Sequence, residues 1–274
     1  MNYRNLMILA TAATLLLAGT SCTKKLEGNQ AKGTLVLDLK GDTSFGEKAT
    51  KAVNLADYTN KANYTVQVTN IKGKTVFECT GADLANFKSK ELEIGSYTAK
   101  AFCGNDIALS RNAIYVAGET VFSIESEKST SVTIDCVPTS GRLSVEFDPD
   151  MAIYFKDYHV TYSGAKALGS TPITWAQKDT EPWYVKLDPN GEVLTYMIHL
   201  TLKDEYKIID ANGNEQSNSQ ITNTFTLKPN KAHKLRVSPN YTPSEDESGL
   251  SIGITIDETT NDKEITIEVP STWI

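Results

Sequence analysis

Residues 33–39 read Gly-Thr-Leu-Val-Leu-Asp-Leu, and this stretch decides the fold class. Leucine occupies every second position, so one face of the segment is apolar while the other carries Val36 and Asp38. Such alternation with period two is typical of a β-strand with one buried face. The same pattern returns at 64–68, 97–101 and 132–136, and helix-like periodicity is scarce. The sequence therefore predicts an all-β protein.

The order of the strand segments repeats along the chain. Three segments have counterparts in a second copy: 33–39 in 141–147, 64–70 in 158–164, and 95–101 in 194–200. Each copy ends in two alternating segments joined by a short charged turn, at 122–134 and at 225–237, which predicts a hairpin. Short strands at regular spacing favour sandwiches over barrels. We predict two tandem β-sandwich domains, at residues 33–137 and 138–240.

The last segment of the chain lies outside this repeat. Residues 241–249 are polar and acidic and contain Pro243, and apolar residues then alternate at 250–256 and at 265–269. This pattern predicts a linker and a C-terminal β-hairpin over residues 241–274. The hairpin either completes the second sandwich or extends from it, and an extended strand pair is a template for pairing with another chain.

Residues 1–21 have the composition of a secretory signal peptide. Arg4 supplies the positive start, residues 6–18 are apolar, and small residues precede Cys22. The apolar stretch is too short for a stable membrane span. Small residues followed directly by cysteine resemble the lipobox of bacterial lipoproteins. That resemblance implies cleavage before Cys22, a diacylglyceryl group on its thiol, an acyl chain on the new amine, and a lipidated linker over residues 22–32.

The charge of the chain excludes nucleic acid as a partner. Cleavage before Cys22 would remove Arg4 and no other charged residue, so 26 basic residues would face 34 acidic ones, a net charge of −8. The charges are spread along the sequence, and neither a basic footprint for nucleic acid nor a polybasic surface for anionic lipid is present.

Three cysteines remain if Cys22 carries lipid. Cys79, Cys103 and Cys136 cannot all pair, and their spacing matches no zinc motif, so no metal site is predicted. Cys103 and Cys136 share the inward parity of their strands. They are either packed thiols or one disulfide across a sandwich, which an oxidising envelope permits. The odd count favours thiols.

Several segments together resemble a Bacteroidales lipoprotein family of unknown function. They are Gly-Thr-Leu-x-Leu after the cysteine, Leu-Glu-Ile-Gly-Ser-Tyr-Thr-Ala-Lys-Ala at 92–101, Phe-Ser-Ile-Glu-x5-Ser-Val-Thr-Ile-Asp-Cys at 122–136, and Phe-Lys-Asp-Tyr-His-Val-Thr-Tyr-Ser at 155–163. That family is in turn similar to the fimbrillin-like superfamily of pilins and pilus anchors. The resemblance implies transthyretin-like sandwiches and partners that pair through β-strands.

The sequence departs from the fimbrillin pattern at one point, and the residue after Cys22 indicates where the protein is located. Fimbrillins are cut after an arginine near the first strand, whereas no arginine lies between Cys22 and Arg111 here, which favours a subunit that keeps its anchor. Thr23 follows the cysteine, as in lipoproteins sorted to the outer membrane. We expect a lipid-anchored protein of the cell outer membrane, on either the periplasmic face or the cell surface.

The sequence shows no pattern typical of a catalytic or metal-binding site. His159, His199 and His233 are scattered, are expected at the surface, and have no nucleophile or metal ligand at suitable spacing. We therefore predict no catalytic residue, no enzyme activity and no cofactor besides the lipid on Cys22.

One aromatic segment is a candidate ligand site. Trp175, Trp183 and Tyr184 lie among three prolines between residues 169 and 192. Aromatic rings on a proline-rich loop either stack on sugars or pack beneath the loop and anchor it to the sandwich. Because large aromatic side chains are usually buried, the anchoring role is favoured. Two hypotheses follow: a non-catalytic fimbrillin-like accessory, anchor or adhesion subunit that could bind fimbrial subunits, or a carbohydrate-binding lipoprotein that uses this loop.

Overall fold

The computed structural model describes residues 31–43, 45, 53–84, 86–87, 89–206, 208–209, 215–243, 250–260 and 263–269. Most of these residues form strands, as the alternation predicted. The strands are β1 (Lys32–Gly41), β2 (Thr65–Asn70), β3 (Thr75–Thr80), β4 (Lys90–Glu93), β5 (Gly95–Gly104), β6 (Leu109–Ser110), β7 (Tyr115–Ile124), β8 (Ser129–Pro138), β9 (Ser140–Phe147), β10 (Phe155–Ser163), β11 (Ile173–Ala176), β12 (Trp183–Lys186), β13 (Glu192–Leu202), β14 (Ile208–Ile209), β15 (Glu215–Gln216), β16 (Asn218–Leu227), β17 (Ala232–Pro243), β18 (Leu250–Thr260) and β19 (Lys263–Val269). Short helices are α1 (Leu55–Thr59), α2 (Gly81–Leu84) and α3 (Met151–Tyr154), with 3-10 turns at Lys61–Asn63 and Lys166–Leu168.

None of the helices in the described part of the chain has the length and apolar composition needed to cross a bilayer.

The N-terminal half forms a seven-stranded sheet in the order β3-β2-β5-β7-β8-β1-β4. β1 and β8 run parallel, from Thr34 opposite Ser129 to Gly41 opposite Cys136. The alternating leucines of β1 are buried and share one cluster with the inward residues of β2, β5 and β8. Because both ends of the sheet contribute to this cluster, the sheet closes over a common core. The inner face of the sheet is continuously apolar because apolar residues alternate with polar ones along each strand.

The C-terminal half packs two sheets face to face. One has the order β11-β10-β13-β16, and the other has the order β19-β18-β17-β9-β12-β6. Inward residues of β9, β12 and β17 meet those of β10, β11 and β13 in a second buried cluster. The fold is therefore all-β, as predicted, while the division into domains at residues 33–137 and 138–240 stays a prediction.

The two halves repeat one topology. The order β3-β2-β5-β7 corresponds to β11-β10-β13-β16, and β8-β1-β4 corresponds to β17-β9-β12. The turns match too, since Glu127 (φ 60°) and Asn230 (φ 55°) both adopt the left-handed conformation. The Glu127 N–H donates to the Lys32 carbonyl at 2.8 Å and the Asn230 N–H to that of Ser140 at 3.0 Å. The repeated strand order read from the sequence is thus present in three dimensions.

Of the two predicted repeat-closing hairpins, the first is present as the antiparallel neighbours β7 and β8, and the second is wrong. β7 and β8 form backbone pairs only far from their turn, at Val116 opposite Pro138 and Ala117 opposite Val137. β16 and β17 lie in different sheets. A short turn with left-handed residues looks the same in sequence whether it joins neighbouring strands or passes between layers. Packing against the rest of the fold selects the layer, and β17 is held in its own sheet by β9 and β18.

The C-terminal hairpin is present and extends the sheet of β17. β17 and β18 pair from His233 opposite Thr260 to Pro243 opposite Leu250. β18 and β19 then pair from Ile254 opposite Val269 to Thr260 opposite Lys263. The hairpin is thus joined to the C-terminal half through β17, and β19 forms one edge of the six-stranded sheet.

Candidate functional site

The predicted lipidation site, Cys22, and residues 1–30 around it lie outside the described residues, as do most of the linker 241–249 and the final residues 270–274. The lipid anchor therefore stays a prediction.

Trp175 of the aromatic segment is part of the core. It shares the inward parity of Ile173 on β11 and is 0% exposed. Its ring packs edge-on against Tyr162 of β10, with 5.3 Å between ring centroids. A ring in this position has no face for a sugar. This is the anchoring arrangement that the sequence favoured.

Arg111 contacts both Trp183 and the loop that precedes it. The Arg111 guanidinium donates to both carboxylate oxygens of Asp179, at 2.7 Å for the Nη1–Oδ1 pair. It also donates to the Glu181 carbonyl at 2.8 Å, and its carbon lies 4.4 Å from the centroid of the Trp183 ring. A bidentate ion pair of this kind is directional as well as charged. Trp183 is half-buried, and the segment 177–182 is tied to the residue that follows β6.

Tyr184 joins the two halves of the molecule. It lies on β12 of the C-terminal half, but its ring is 1% exposed within the core cluster of the N-terminal half. The ring centroid lies 5.5 Å from that of Phe45. β12 also pairs with β6, whose sequence lies between β5 and β7 of the N-terminal half. Of the three aromatic candidates, only Trp183 keeps exposed area, so the geometry does not form a stacking platform.

The cysteines that the sequence left undecided are thiols here. Cys79, Cys103 and Cys136 are free, and the candidate disulfide between Cys103 and Cys136 is not formed. Cys136 is 1% exposed. Burial raises the pKa of its thiol from the usual value near 9 to about 12, and burial likewise raises the pKa values of the half-buried Cys79 and Cys103.

These thiols give a labelling prediction. At pH 9 the native Cys136 thiol should stay protonated, whereas the unfolded chain would ionise it, so iodoacetamide should modify Cys136 only after denaturation. Mass spectrometry of the labelled protein, without reductant, should show all three cysteines modified in guanidinium chloride. Two unlabelled cysteines under that condition would contradict the free-thiol arrangement.

The histidine predictions are correct for two residues and wrong for the third. His159 and His199 lie on the outward face of their strands, stacked with 4.3 Å between ring centroids. His233 is 0% exposed, with its Nδ1 3.1 Å from the Tyr162 hydroxyl and its ring 3.7 Å from that of Phe225. It belongs to the inward parity of Leu235 and Val237, whereas the sequence predicted a position at the surface.

Among the described residues, no three His, Cys, Asp or Glu side chains converge to hold a metal ion. A cleft of about 470 Å³ lies between β9 and the 177–182 segment. Of its charged lining groups, Asp179 pairs with Arg111 and Glu146 pairs with Lys234 at 3.3 Å, while Arg142 is buried with its guanidinium carbon 5.7 Å from the centroid of the Phe45 ring. The cleft therefore does not single out a class of ligand.

The strand edges are the remaining candidate site. β19 closes one side of the six-stranded sheet, and its sequence, Lys-Glu-Ile-Thr-Ile-Glu-Val, mixes apolar and charged residues. Its other side carries no paired strand in the described part of the chain. A free edge presents backbone N–H and C=O groups to a further strand, and its charges restrict which strand fits.

The chain is similar to several solved structures, with TM-scores below 0.5. A proposed adhesin from Bacteroides ovatus matches with TM-score 0.44 and 9% identity, covering 86% of this chain and 95% of that one. A fimbrial assembly protein from Parabacteroides distasonis matches with TM-score 0.38 and 12% identity, covering 86% and 98%. The fimbrial anchor protein Mfa2 from Porphyromonas gingivalis matches with TM-score 0.38 and 12% identity, covering 86% and 99%. Similarity at this level leaves function to be inferred from the chain's own residues.

No curated protein matches the sequence. Residues 31–271 match the family described as Domain of unknown function (DUF4493). The match takes in both halves and the C-terminal hairpin, and the protein therefore belongs to the DUF4493 family.

Proposed function

We propose that this protein is a non-catalytic, lipid-anchored subunit of the bacterial outer membrane that acts by β-strand pairing, as a fimbrillin-like accessory, anchor or adhesion protein. The observation that carries the proposal is the C-terminal hairpin: β18 and β19 extend the sheet of β17 and leave β19 at its edge. A partner strand added there would gain a ladder of backbone hydrogen bonds.

The other parts of the proposal rest on the sequence. The lipobox-like Gly19-Thr20-Ser21-Cys22 supports attachment to the membrane through acyl chains, and the absence of arginine between Cys22 and Arg111 supports a subunit that keeps this anchor. The carbohydrate-binding alternative has less support, because the rings of Trp175 and Tyr184 are buried.

Denaturing gels of outer-membrane fractions test the proposal. Strand-complemented assemblies resist detergent until they are heated, so we expect a larger band in the unheated sample that collapses to the monomer on heating. The variant Cys22→Ala should move the protein from the membrane pellet to the soluble fraction. A monomer band in both lanes would contradict strand pairing with a partner, and a screen for glycan binding would then be the next experiment.

Two adjacent substitutions locate the pairing edge. Successive residues of an antiparallel strand direct their N–H groups alternately toward and away from the partner. The substitutions Thr266→Pro and Ile267→Pro should therefore have different effects. One removes a backbone hydrogen bond to β18 and lowers the melting temperature, while the other removes a backbone N–H donor on the outer edge of β19. The variant that keeps the melting temperature should still lose the heat-sensitive band. Retention of the band in that variant would exclude the β19 edge.

A further inference from the structure

The chain enters the N-terminal half at one end of its sheet, and two turns lie at the same end. The Ala31 carbonyl accepts a hydrogen bond at 3.0 Å from the N–H of Ile94, in the turn between β4 and β5. The last residue of β2, Asn70, lies opposite Tyr97, close to the start of β5 at Gly95. The β2–β3 turn, the β4–β5 turn and the entering chain (residues 70–74, 94–95 and 31–32) therefore form one surface, the entry end.

Each of these two turns carries an exposed isoleucine. Ile71 is 84% exposed, the largest value for a bulky apolar side chain in the described part of the chain, and Ile94 is 52% exposed. Single exposed apolar residues are common on protein surfaces. Here two of them lie beside the point where the chain enters the fold, and both would lose unfavourable contact with water in a less polar environment.

The β2–β3 turn holds Ile71 in a fixed outward position. The Asn70 side-chain oxygen accepts hydrogen bonds from the N–H groups of Lys72 and Lys74, both at 3.0 Å, and its carbonyl accepts one from Gly73 at 2.8 Å. Lys72 and Lys74 are exposed on either side of the tip. Lysine stems can lie along an apolar surface while their ammonium groups stay at a polar level. The tip thus combines an apolar side chain with two flexible cations.

The lipid anchor proposed above limits which surface can touch a membrane, and the inference rests on that anchor. Nine peptide steps separate Cys22 from Ala31, so the connecting chain spans at most about 32 Å even when it is extended. The entry end is therefore the part of the fold tied most closely to the bilayer. Because β5 and β7 have ten residues each, the opposite end of the sheet lies about 33 Å further along the strands.

We propose that the entry end rests on the bilayer surface, with Ile71 and Ile94 inserted among the lipid headgroups. The acyl chains on Cys22 supply the attachment, since two isoleucine side chains bury far less apolar surface than lipid chains do. The isoleucines supply the orientation. The charges near the tips have both signs, as in the pair of Glu125 with Lys128, so the contact does not require anionic lipid.

This orientation would carry the C-terminal half away from the membrane. β7 begins and β8 ends at the opposite end of the N-terminal sheet, where Val116 lies opposite Pro138. The chain continues from there into β9, and Phe45, which follows β1, contacts Tyr184 of the C-terminal half. The N-terminal half would then act as a spacer, and the C-terminal half with its β19 strand would be presented beyond it.

Fluorescence quenching tests the contact. Ile71→Cys, Ile94→Cys and Ile153→Cys chains that carry the lipid anchor would be labelled with a thiol-reactive fluorophore and reconstituted into phosphatidylcholine vesicles. Ile153 is the matched control, because it is 48% exposed on α3, which follows the end of β9 remote from the N-terminal half. Spin-labelled lipid should quench the fluorescence at positions 71 and 94 and leave it unchanged at position 153. The labelled wild type gives the background of the native cysteines.

Sedimentation of the same vesicles separates this contact from the anchor. A chain that pellets with the vesicles but is quenched no more at positions 71 and 94 than at position 153 would overturn the contact and leave the anchor intact. A chain that stays in the supernatant would overturn the anchor on Cys22 and the contact with it. Equal melting temperatures would confirm that the three variants fold, and two independent turns guard against a local effect of one substitution.

Discussion

Replacement of Trp175 by alanine is expected to lower the free energy of unfolding by about 3–5 kcal/mol, the usual cost of removing a fully buried large aromatic ring. The side chain is 0% exposed and packs edge-on against Tyr162. Alanine would leave a cavity in the core beneath β10 and β11 that the surrounding strands can fill only in part. Guanidinium denaturation followed by circular dichroism would measure the loss as a lower midpoint.

Two controls separate this anchoring role from a ligand-binding role. Trp175→Phe keeps most of the ring and removes an indole N–H that has no hydrogen-bond partner among the described residues, so its cost should be much smaller. Trp183→Ala should cost less than Trp175→Ala, because Trp183 is half-buried. A Trp175→Ala protein with unchanged stability that had lost binding to an envelope glycan would contradict the buried position and restore the carbohydrate hypothesis.

Replacement of Tyr184 by alanine should uncouple the two halves of the molecule. The ring belongs to the N-terminal core, where it contacts Phe45, while its strand belongs to the C-terminal half. We expect a loss of about 3 kcal/mol and the replacement of one cooperative transition by two, since fewer contacts would then make the halves unfold together. Differential scanning calorimetry would resolve the two transitions.

The matched control for this variant is Tyr184→Phe, which keeps the ring in the N-terminal core and removes only the hydroxyl. It should retain a single transition. If Tyr184→Ala also unfolds in one step with unchanged stability, the junction would have to depend on other contacts, such as the Asn230 side chain, which accepts a hydrogen bond from the Phe45 N–H at 3.2 Å.

Much of the architecture was predictable because it is a local property. Alternation identified strands such as β1, β5, β8 and β13, and the repeated strand order matched the repeated sheet order. Inward parity also placed Cys136 correctly in the interior, and the burial typical of large aromatic rings favoured the interior position of Trp175. A side-chain period of two needs only neighbours in sequence to be recognised.

The wrong predictions concern which of the two sheets of the sandwich a strand joins. The sequence could not tell whether the turn at 228–231 returned β17 to the side of β16 or sent it to the opposite sheet. Because β17 enters the opposite sheet, His233 becomes a core residue stacked on Phe225, and β16 has β13 as its paired neighbour among the described strands. The position of Tyr184 was also not predictable, since nothing in the sequence of β12 indicates that this ring packs in the core of the N-terminal half.

By itself, the sequence determined the β class, the repeated strand order, the C-terminal hairpin and the inward faces, because each depends on the short-range alternation of apolar and polar side chains. Only the tertiary structure decided which strands are neighbours, which strands lie at the ends of the described sheets, and that the aromatic segment is an anchor rather than a platform. Those outcomes depend on contacts between residues far apart in sequence, such as Phe45 with Tyr184 and Tyr162 with His233. Such contacts form only when whole layers pack, and alternation alone does not encode the choice of layer.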